Sequence, residues 1–334
     1  MILSVSPGHD PYDIILERGC LRKAGELLRL NRKTLIVTDE NIPAAYVRTV
    51  SERSPAASVL TVPAGEGSKS FRTLEALLTS MLEAGFTRGD CVVSVGGGMV
   101  SDLAGFCASM YMRGVDFYSV PTTVLSQVDA SVGGKTAINL GGLKNLVGAF
   151  YQPRRVLIDP DTTATLPPEQ LSSGLAEALK TGMIADSALF DIFERGAAAA
   201  RLDEVIERSI RVKSRIVSLD EKEQDLRRVL NFGHTLGHGL EALSGLHHGT
   251  CVALGMLPMS APPVRARLLP VLSALGLPTS LEFDTDAVMA AVLHDKKSDA
   301  DGITCVLVDE VGSYRFEKRS PAQLRASLET IRKV

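Results

Sequence analysis

The first half of the chain alternates short β-branched runs with longer segments of helical periodicity, and this alternation constrains the fold more than any other feature. Five runs are strand candidates: 34–38, 58–62, 91–95, 115–120 and 155–159. Between the second and third runs, residues 71–84 place five leucine and methionine side chains on one helical stripe. Strands and helices in this order are typical of a parallel sheet with crossover helices. The sequence therefore predicts an α/β domain.

After Pro167 and Pro168 the pattern changes, and apolar residues recur at helical spacing. The segments with this spacing are 169–183, 187–195, 202–219, 229–243, 252–267 and 285–294. They predict a helical second domain, and 303–308 with 313–316 predicts a small hairpin near the end. The domain boundary is expected near 155–168, and the cleft between the domains is the expected place for a ligand.

Composition excludes several classes of function. The 334 residues are 45% hydrophobic, so global disorder is excluded, and a formal charge of −3 gives no excess of cations for nucleic acid. No apolar run approaches the roughly 20 residues of a membrane helix, and the start has no signal-peptide pattern. Five scattered cysteines without a CxxC pair indicate a reducing compartment. We expect a cytoplasmic protein with a small polar ligand and neither nucleic acid nor membrane as partner.

Two glycine-rich turns follow predicted strands and precede predicted helices, at Gly96-Gly97-Gly98 and at 64–69. Glycines there let the backbone approach a pyrophosphate, and the amides of a helix start donate hydrogen bonds to it. The spacing is not GxGxxG, so a simple tight turn is the alternative. Lys135 and Lys144 lie in polar segments suited to an anionic ligand, although lysines after loops are mostly solvated.

His234 and His238 lie four residues apart and therefore on one face of a predicted helix. Thr235 follows His234 where the HExxH pattern has glutamate, which disfavours protease chemistry. Glu177 lies on a different predicted helix, and a glutamate with two histidines would leave zinc an open coordination position. The alternative is ordinary surface or core histidines, but four of the six histidines lie within fifteen residues.

Seven segments in order carry a resemblance to a known family. They are GGGMVSDLAGF (96–106), YMRG (111–114), PTTVLSQVDASVGGKTAIN (121–139), KNLVGAFYQP (144–153), SGLAEALKTGMI (173–184), DEKEQDLRRVLNFGHTLGHGLE (220–241) and HG (248–249). On these motifs the chain closely resembles the 3-dehydroquinate synthase family of sugar-phosphate cyclases over nearly its whole length. The resemblance implies a Rossmann-like NAD-binding α/β domain at 1–160 and an all-α domain at 161–334 that binds metal and substrate. It also implies NAD, zinc (with cobalt as an alternative metal) and a homodimer.

The resemblance assigns residues to the cofactor and to the metal. NAD contacts are implied for strand-end and turn residues: Asp39, Asn41, Gly65, Glu66, Lys69, Gly97, Gly98, Asp102, Thr122, Thr123, Lys144, Thr162 and Thr165. Zinc ligands are implied at Glu177, His234 and His248. In the family the last zinc ligand is followed directly by glycine, and it is His248 rather than His247 that precedes Gly249.

The family substrate, 3-deoxy-D-arabino-heptulosonate 7-phosphate, carries a phosphate and a carboxylate, so cations are needed at both ends. The implied substrate contacts are Arg113, Asn145, Lys213, Arg227, Asn231 and one of Lys296 and Lys297, with Arg113 serving the neighbouring subunit. The implied catalytic residues are Asp129, Lys135, Lys180, Glu223 and His238. The implied enzyme is a carbon–oxygen lyase of the shikimate pathway of aromatic amino acid biosynthesis. It combines transient oxidation by NAD, phosphate elimination, re-reduction and aldol closure to 3-dehydroquinate.

Two positions depart from the family pattern. Ser101 stands where glycine is usual, which adds a hydroxyl close to the expected pyrophosphate. Thr250 stands where glutamate usually follows His-Gly. Losing that carboxylate is expected to lower metal affinity by about 10–100-fold if nothing replaces it.

Three other functions stay open. A cyclase of a neutral sugar phosphate would leave Lys213 and Arg227 without a partner, which costs binding energy. A metal-dependent polyol dehydrogenase would release NADH and have no use for Lys135, Asn145 and Arg113. An inactive homologue acting as a binding or scaffold protein predicts degraded metal and NAD sites.

Overall fold

The computed structural model describes residues 1–8, 10–295 and 302–333. By internal contacts the chain divides into two compact units. Unit 1 comprises Met1–Leu166 and Val217–Lys222, and unit 2 comprises Pro167–Ile216 and Glu223–Val334. The division expected from the sequence, between residues 160 and 161, lies a few residues before Leu166. In the described residues, no helix combines the length and the apolar character needed to cross a membrane.

The elements alternate in unit 1 and are mainly helical in unit 2. The strands are β1 (Ile2–Val5), β2 (Tyr12–Leu16), β3 (Lys33–Asp39), β4 (Ala56–Val62), β5 (Cys91–Gly96), β6 (Asp116–Pro121), β7 (Lys135–Leu140), β8 (Leu143–Phe150), β9 (Arg155–Ile158), β10 (Ile303–Leu307) and β11 (Arg315–Arg319). The α-helices are α1 (Ala24–Leu27), α2 (Ala44–Ser51), α3 (Phe71–Glu83), α4 (Gly98–Met110), α5 (Pro168–Ala185), α6 (Ser187–Glu194), α7 (Leu202–Leu219), α8 (His234–Ser244), α9 (His248–Met256), α10 (Pro262–Ala274), α11 (Thr285–Asp295) and α12 (Pro321–Leu328). Short 3-10 turns lie at Cys20–Lys23, Glu66–Ser68, Tyr111–Arg113, Pro160–Thr165 and Leu226–Asn231, and a π-helical turn lies at Ser126–Ala130.

Unit 1 is built on a seven-stranded sheet with the order β1-β2-β9-β6-β5-β3-β4. Only β1 pairs antiparallel, with β2, and every other pairing in this sheet is parallel. The parallel sheet confirms the prediction, because all five predicted runs are strands of it. The sequence pattern missed β1 and β2, and it missed the separate antiparallel hairpin of β7 and β8.

Apolar side chains cover both faces of the central part of this sheet, where β3, β5, β6 and β9 are buried almost throughout. Successive side chains point to opposite faces of a strand, so Leu35 and Val37 join the cluster under α3 and α4. Ile36 joins the cluster under α1 and α2. The stripe predicted at 71–84 is confirmed in part: Leu74, Leu77 and Met81 are buried on α3, Leu78 is half-buried, and Leu82 is exposed.

Unit 2 confirms the predicted helices in four cases, because α5, α6, α7 and α11 match the predicted segments to within two residues. The hairpin near the end is also confirmed, with β10 antiparallel to β11. A single helix over 252–267 is wrong, because α9 ends at Met256 and α10 begins at Pro262. Pro262 and Pro263 lack amide hydrogens and therefore suit the first turn of a new helix rather than a helix interior.

Residues 217–222 form a short segment that belongs to unit 1 although unit 2 flanks it in sequence. The Ser6 amide donates to Ser218 Oγ at 3.3 Å, and Gln152 Nε2 donates to Glu221 Oε1 at 2.9 Å. These contacts join the segment to strand-end loops near both ends of the first 166 residues.

Candidate active site

The metal-ligating side chains of unit 2 are arranged around Glu177 of α5. Every residue of α5 from Ser173 to Ile184 is buried, so this helix runs through the core of the unit. Glu177 is 1% exposed, and its carboxylate lies 2.5 Å from the Lys180 ammonium, which is equally buried. A buried charge requires charged or hydrogen-bonding partners, and Lys180 supplies one for one oxygen of Glu177.

Two histidines face the other oxygen of Glu177. His234 Nε2 lies 3.6 Å from Glu177 Oε1, and His248 Nε2 lies 3.4 Å from it. Glu177 Oε1 is buried and accepts no hydrogen bond of normal geometry. His238 joins the cluster, because ligand atoms of His234, His238 and His248 all lie within 4.8 Å of one another.

The tautomers of two histidines follow from their other nitrogen. His234 Nδ1 lies 3.1 Å from the Phe232 carbonyl, which can only accept, so Nδ1 carries the proton. His248 Nδ1 donates to Glu241 Oε2 at 2.8 Å. Both arrangements direct Nε2 toward Glu177. A carboxylate oxygen and imidazole nitrogens facing one point are the donor set that zinc prefers, and these residues therefore fit a zinc ion.

The electrostatics of the cluster favour a cation. Burial would raise the pKa of Glu177, but the Lys180 charge holds it well below its ordinary value, so the carboxylate is ionised. Burial and the Lys180 charge lower the pKa of His234, which keeps that imidazole neutral. Burial opposes protonation of His248 as well, but the neighbouring Glu177 carboxylate and the hydrogen bond to Glu241 raise its pKa to about 10.

A glycine sets the start of the helix that carries His234. Gly233 has φ +79°, and an added Cβ would lie 2.6 Å from the Val252 carbonyl of α9. Only glycine fits this left-handed, crowded position without strain. It brings the first turn of α8 against α9, so that His234 and His248 reach the same point.

Other predicted substrate residues of unit 2 are buried or paired. Lys213 of α7 is 6% exposed and Arg227 is 2% exposed. Asn231 Nδ2 donates to Glu223 Oε1 at 2.7 Å. Two buried cations within one unit suit an anionic ligand group. Lys296 and Lys297 lie outside the described residues.

In unit 1 the turn after β4 carries a polar network. Lys69 is 3% exposed, and its ammonium lies 2.7 Å from Asp102 Oδ2 and 3.4 Å from Glu66 Oε1. Lys69 also donates to Asn145 Oδ1. Asn139 Nδ2 donates to Glu66 Oε1 at 3.0 Å. The network joins the turn, α4 and the β7–β8 hairpin, and it brings together four residues predicted for NAD and phosphate.

The surface of this turn is open at two glycines. An added Cβ at Gly65 or Gly67 would meet no atom within 4 Å, and Gly65 has φ +98°. At the start of α4, Gly97 has extended backbone and leaves the first helical amides available. Thr122 Oγ1 at the end of β6 is buried without a hydrogen-bond partner in the described chain. Open glycines, helix amides and a buried hydroxyl fit a dinucleotide phosphate.

Ser101 does not disturb that helix start. Its hydroxyl donates to the Gly98 carbonyl at 3.0 Å, and its side chain is buried. The departure from glycine is therefore accommodated within the first turn of α4.

The remaining predicted residues lie at strand ends or on the hairpin. Asp39 ends β3 and accepts the Asn41 amide at 2.9 Å, and burial raises its pKa. Thr123 and Ser126 hydroxyls lie 2.8 Å apart. Gln127 Nε2 donates a hydrogen bond to Thr162 Oγ1 on the turn after β9, and the Thr165 hydroxyl shares one with the Tyr46 hydroxyl. The other predicted residues are Asp129 in the π-helical turn, Lys135 at the start of β7, Lys144 in β8, and Arg113 after α4 with φ +69°.

Sequence reasoning missed two contributors. Glu241 is three residues after His238 and seven after His234, a spacing that places it on their helix face. Asn139 ties the 65–69 turn to the hairpin, and no local pattern marks it.

Comparison with known proteins decides the family. Residues 59–173 match the 3-dehydroquinate synthase N-terminal family, and residues 174–298 match the 3-dehydroquinate synthase C-terminal family. The chain belongs to the 3-dehydroquinate synthase family. A curated 3-dehydroquinate synthase from Methylacidiphilum infernorum is 40% identical, covering 93% of this chain and 92% of that protein. One from Rhodospirillum rubrum is 41% identical, covering 98% and 94%. The resemblance predicted from the seven motifs is confirmed.

Solved structures share the fold of this synthase-family chain. A 2-deoxy-scyllo-inosose synthase, complexed with carbaglucose-6-phosphate, NAD+ and Co2+, is 23% identical with a TM-score of 0.90, covering 98% of this chain and 99% of that one. A 2-epi-5-epi-valiolone synthase from Streptomyces hygroscopicus subsp. jinggangensis, with NAD+ and Zn2+ bound, is 26% identical with a TM-score of 0.86, covering 96% of each chain. The predicted class, a Rossmann-like α/β part followed by a helical part, is confirmed.

Proposed function

We propose that this protein is a 3-dehydroquinate synthase. It converts 3-deoxy-D-arabino-heptulosonate 7-phosphate to 3-dehydroquinate and phosphate, as a carbon–oxygen lyase of the shikimate pathway. Relatives of that name, 40% and 41% identical over nearly the whole chain, support the activity. The observation that carries it in the structure is the buried Glu177 carboxylate facing the Nε2 atoms of His234 and His248.

Glu177, His234 and His248 would hold the divalent metal. The 65–69 turn, the start of α4 and the ends of β3 and β6 would hold NAD. When bound, NAD accepts and returns a hydride, and the metal lowers the pKa of the hydroxyl groups that it contacts. The fits found above, namely the Glu177 oxygen without a hydrogen bond and the open glycines, support both assignments.

The chain's own residues supply binding and proton transfer. Lys213 and Arg227 would bind the substrate carboxylate, and their burial strengthens such a contact because little water competes. Lys135 and Asn145 would bind the phosphate group. His238 and Glu223 would move protons, with Asn231 holding Glu223 in place. Assistance of this kind is worth about 10²–10⁴-fold in rate.

Glu241 would position His248 for the metal. Its hydrogen bond to Nδ1 fixes the tautomer that leaves Nε2 for a ligand bond. His248 thus has a carboxylate partner on α8, although Thr250 supplies none. The loss of metal affinity expected from Thr250 stays a prediction.

The test is phosphate release from 3-deoxy-D-arabino-heptulosonate 7-phosphate by the purified protein with NAD and zinc. NADH absorbance is followed in parallel. We expect phosphate without net NADH, and loss of release with a chelator or with Lys135→Ala. Accumulating NADH would instead identify a dehydrogenase. Protein that bound neither zinc nor NAD would be an inactive homologue.

A second measurement separates this activity from cyclisation of a neutral sugar phosphate. Arg227→Lys and the adjacent exposed Arg228→Lys form a matched pair. With the carboxylate substrate, we expect Arg227→Lys to raise KM and Arg228→Lys to leave it unchanged. Turnover of sedoheptulose 7-phosphate in place of the carboxylate substrate would favour the other cyclase.

We also propose a homodimer in the cytoplasm. The family resemblance and the scattered cysteines support these two assignments, and all five cysteines are free and buried. Sedimentation of the purified protein at micromolar concentration tests the dimer.

A further inference from the structure

A cavity of 310 Å³ lies in unit 1, away from the turns assigned to NAD. Asp116 and Arg155, two of its lining residues, are the first residues of β6 and β9, so the cavity lies at the amino ends of the parallel strands. The glycine turns follow the carboxyl ends. At 3.3 Å per residue, the length of β6 places the amino and carboxyl ends of the strands about 17 Å apart. The lining residues are Leu27, Arg29, Asp116, Tyr118, Arg154 and Arg155.

Positive charge exceeds negative charge around the cavity. Asp116 is already engaged, because Arg154 Nε contacts Oδ1 and Arg32 contacts Oδ2, both at 2.8 Å. Arg155 donates to the Leu27 carbonyl at 2.6 Å and lies 3.7 Å from Asp13. Two carboxylates lie near the cavity, those of Asp13 and Asp116, and both are already paired. Four guanidinium groups lie around them, those of Arg29, Arg32, Arg154 and Arg155.

Arg29 has no counterpart in this arrangement. It makes no hydrogen bond or ion pair with any residue in 1–8, 10–295 or 302–333. Its backbone lies in the left-handed region, with φ +51°, which costs energy for any residue other than glycine. The position after a helix end usually carries glycine or asparagine, yet an arginine stands there and its side chain lines the cavity.

Tyr118 offers a second unused donor, and it is buried. Its side chain is 3% exposed, and its hydroxyl oxygen accepts from Arg32 at 2.9 Å. Burial raises the pKa of Tyr118, so the hydroxyl keeps its hydrogen at neutral pH. Among the described residues, no acceptor takes that hydrogen. Arg32 Nε, beside it, is also buried without an acceptor there.

We propose that this cavity binds a small oxyanion, a phosphate or a compact dicarboxylate. Arg29 and the free donors of Arg154 would form charge-assisted hydrogen bonds to it, and the Tyr118 hydroxyl would donate a third. The volume is at the lower end for ligand sites, which suits an anion of this size. Because the cavity lies at the amino ends of the strands and the cofactor turns follow the carboxyl ends, the anion binds without touching those turns.

The experiment is equilibrium dialysis of the full-length protein against radiolabelled inorganic phosphate at constant ionic strength. It is done in a Lys135→Ala background, so that binding at the substrate phosphate position is weakened equally in every variant. Arg29→Gln is compared with Arg48→Gln, which changes another exposed arginine of unit 1. Tyr118→Phe is the second variant. Unfolding temperature and phosphate release, the latter measured with Lys135 intact, verify that each variant is folded and active.

We expect Arg29→Gln to weaken phosphate binding at least tenfold and Tyr118→Phe to weaken it severalfold, whereas Arg48→Gln has no effect. Displacement of phosphate by malonate would assign the site to both anion types, and failure to displace would assign it to phosphate; either supports the site. Equal binding by Arg29→Gln and Arg48→Gln, or binding that added chloride abolishes in all variants, would mean an adventitious ion only and overturn the proposal.

Discussion

Glu177 combines two properties that rarely coincide in a carboxylate. It is almost wholly buried, yet its pKa is held below the ordinary value by the Lys180 charge. An ionised buried carboxylate is costly unless it has a cationic partner. Its second oxygen faces the Nε2 atoms of His234 and His248 and accepts no hydrogen bond from the described residues, so a bound divalent metal would complete the arrangement.

Replacing single members of the cluster separates ligands from proton-transfer groups. We expect Glu177→Gln to abolish stoichiometric zinc binding, because an amide oxygen is a far weaker ligand than a carboxylate. His238→Asn should retain zinc and lower phosphate release by about 10²–10⁴-fold. Zinc content by atomic absorption after gel filtration, with parallel assays, measures both. Retained zinc in Glu177→Gln together with lost zinc in His238→Asn would assign the ligand set to the three histidines instead.

Glu241 should matter for affinity rather than for fold. We expect Glu241→Gln to weaken zinc binding by about 10–100-fold, since the amide cannot stabilise the same His248 tautomer as strongly. Competition with a chromophoric chelator measures the affinity, and Glu207→Gln on the surface of α7 is the matched control. Unchanged affinity in Glu241→Gln would show that the hydrogen bond at 2.8 Å does not support the metal.

Helix α9 meets α5 at Gly249, directly after His248. An added Cβ at this glycine would lie 1.9 Å from the Ser173 carbonyl, which is helical backbone and cannot move aside. We expect Gly249→Ala to lower the free energy of unfolding by about 3 kcal/mol or more and to abolish zinc binding. Thermal unfolding with zinc titration measures both. A normal unfolding temperature would mean that the two helices separate more readily than their packing suggests.

The turn at 65–69 should show the opposite behaviour. Because an added Cβ at Gly67 meets no atom within 4 Å, Gly67→Ala should leave the unfolding temperature unchanged. If the turn holds NAD phosphates, the methyl group should weaken NAD binding by tenfold or more. Fluorescence titration with NADH measures the affinity. Normal NADH binding by a normally folded Gly67→Ala protein would remove this turn from the cofactor site.

Elements with a strong local signal were predictable, and those set by long-range pairing were not. The five apolar runs became strands because both faces of a parallel sheet are buried. The sequence pattern did not reveal β7 and β8 because β8 is largely exposed and contains Lys144, Asn145 and Gly148, and only three residues of β7 are buried. The sequence pattern did not reveal the break between α9 and α10, although Pro262 and Pro263 are typical of the first turn of a new helix. His248 and Glu241 meet across a loop, so local spacing could not reveal their hydrogen bond.

The thiol chemistry of the whole chain follows from burial. All five cysteines are free and buried, and burial raises the pKa of Cys20 and Cys107 to about 12. A raised pKa favours the protonated thiol, so very little thiolate exists at pH 8. We expect a thiol-reactive dye to label the native protein far more slowly than the unfolded protein, and activity to survive without reductant. Rapid labelling of native protein would show that one of these residues becomes accessible.

Unit 1 is complete only after the ribosome has synthesised residues 217–222. The segment bonds to loops of unit 1 through Ser218 and Glu221, yet it follows residue 166 by some fifty positions in the chain. At a synthesis rate of about 5–20 residues per second, the ribosome needs roughly 3–11 s to add this stretch. During that interval the first 166 residues lack the hydrogen bonds that Ser218 and Glu221 provide. A gene truncated after residue 166 would therefore encode a first unit that lacks residues 217–222.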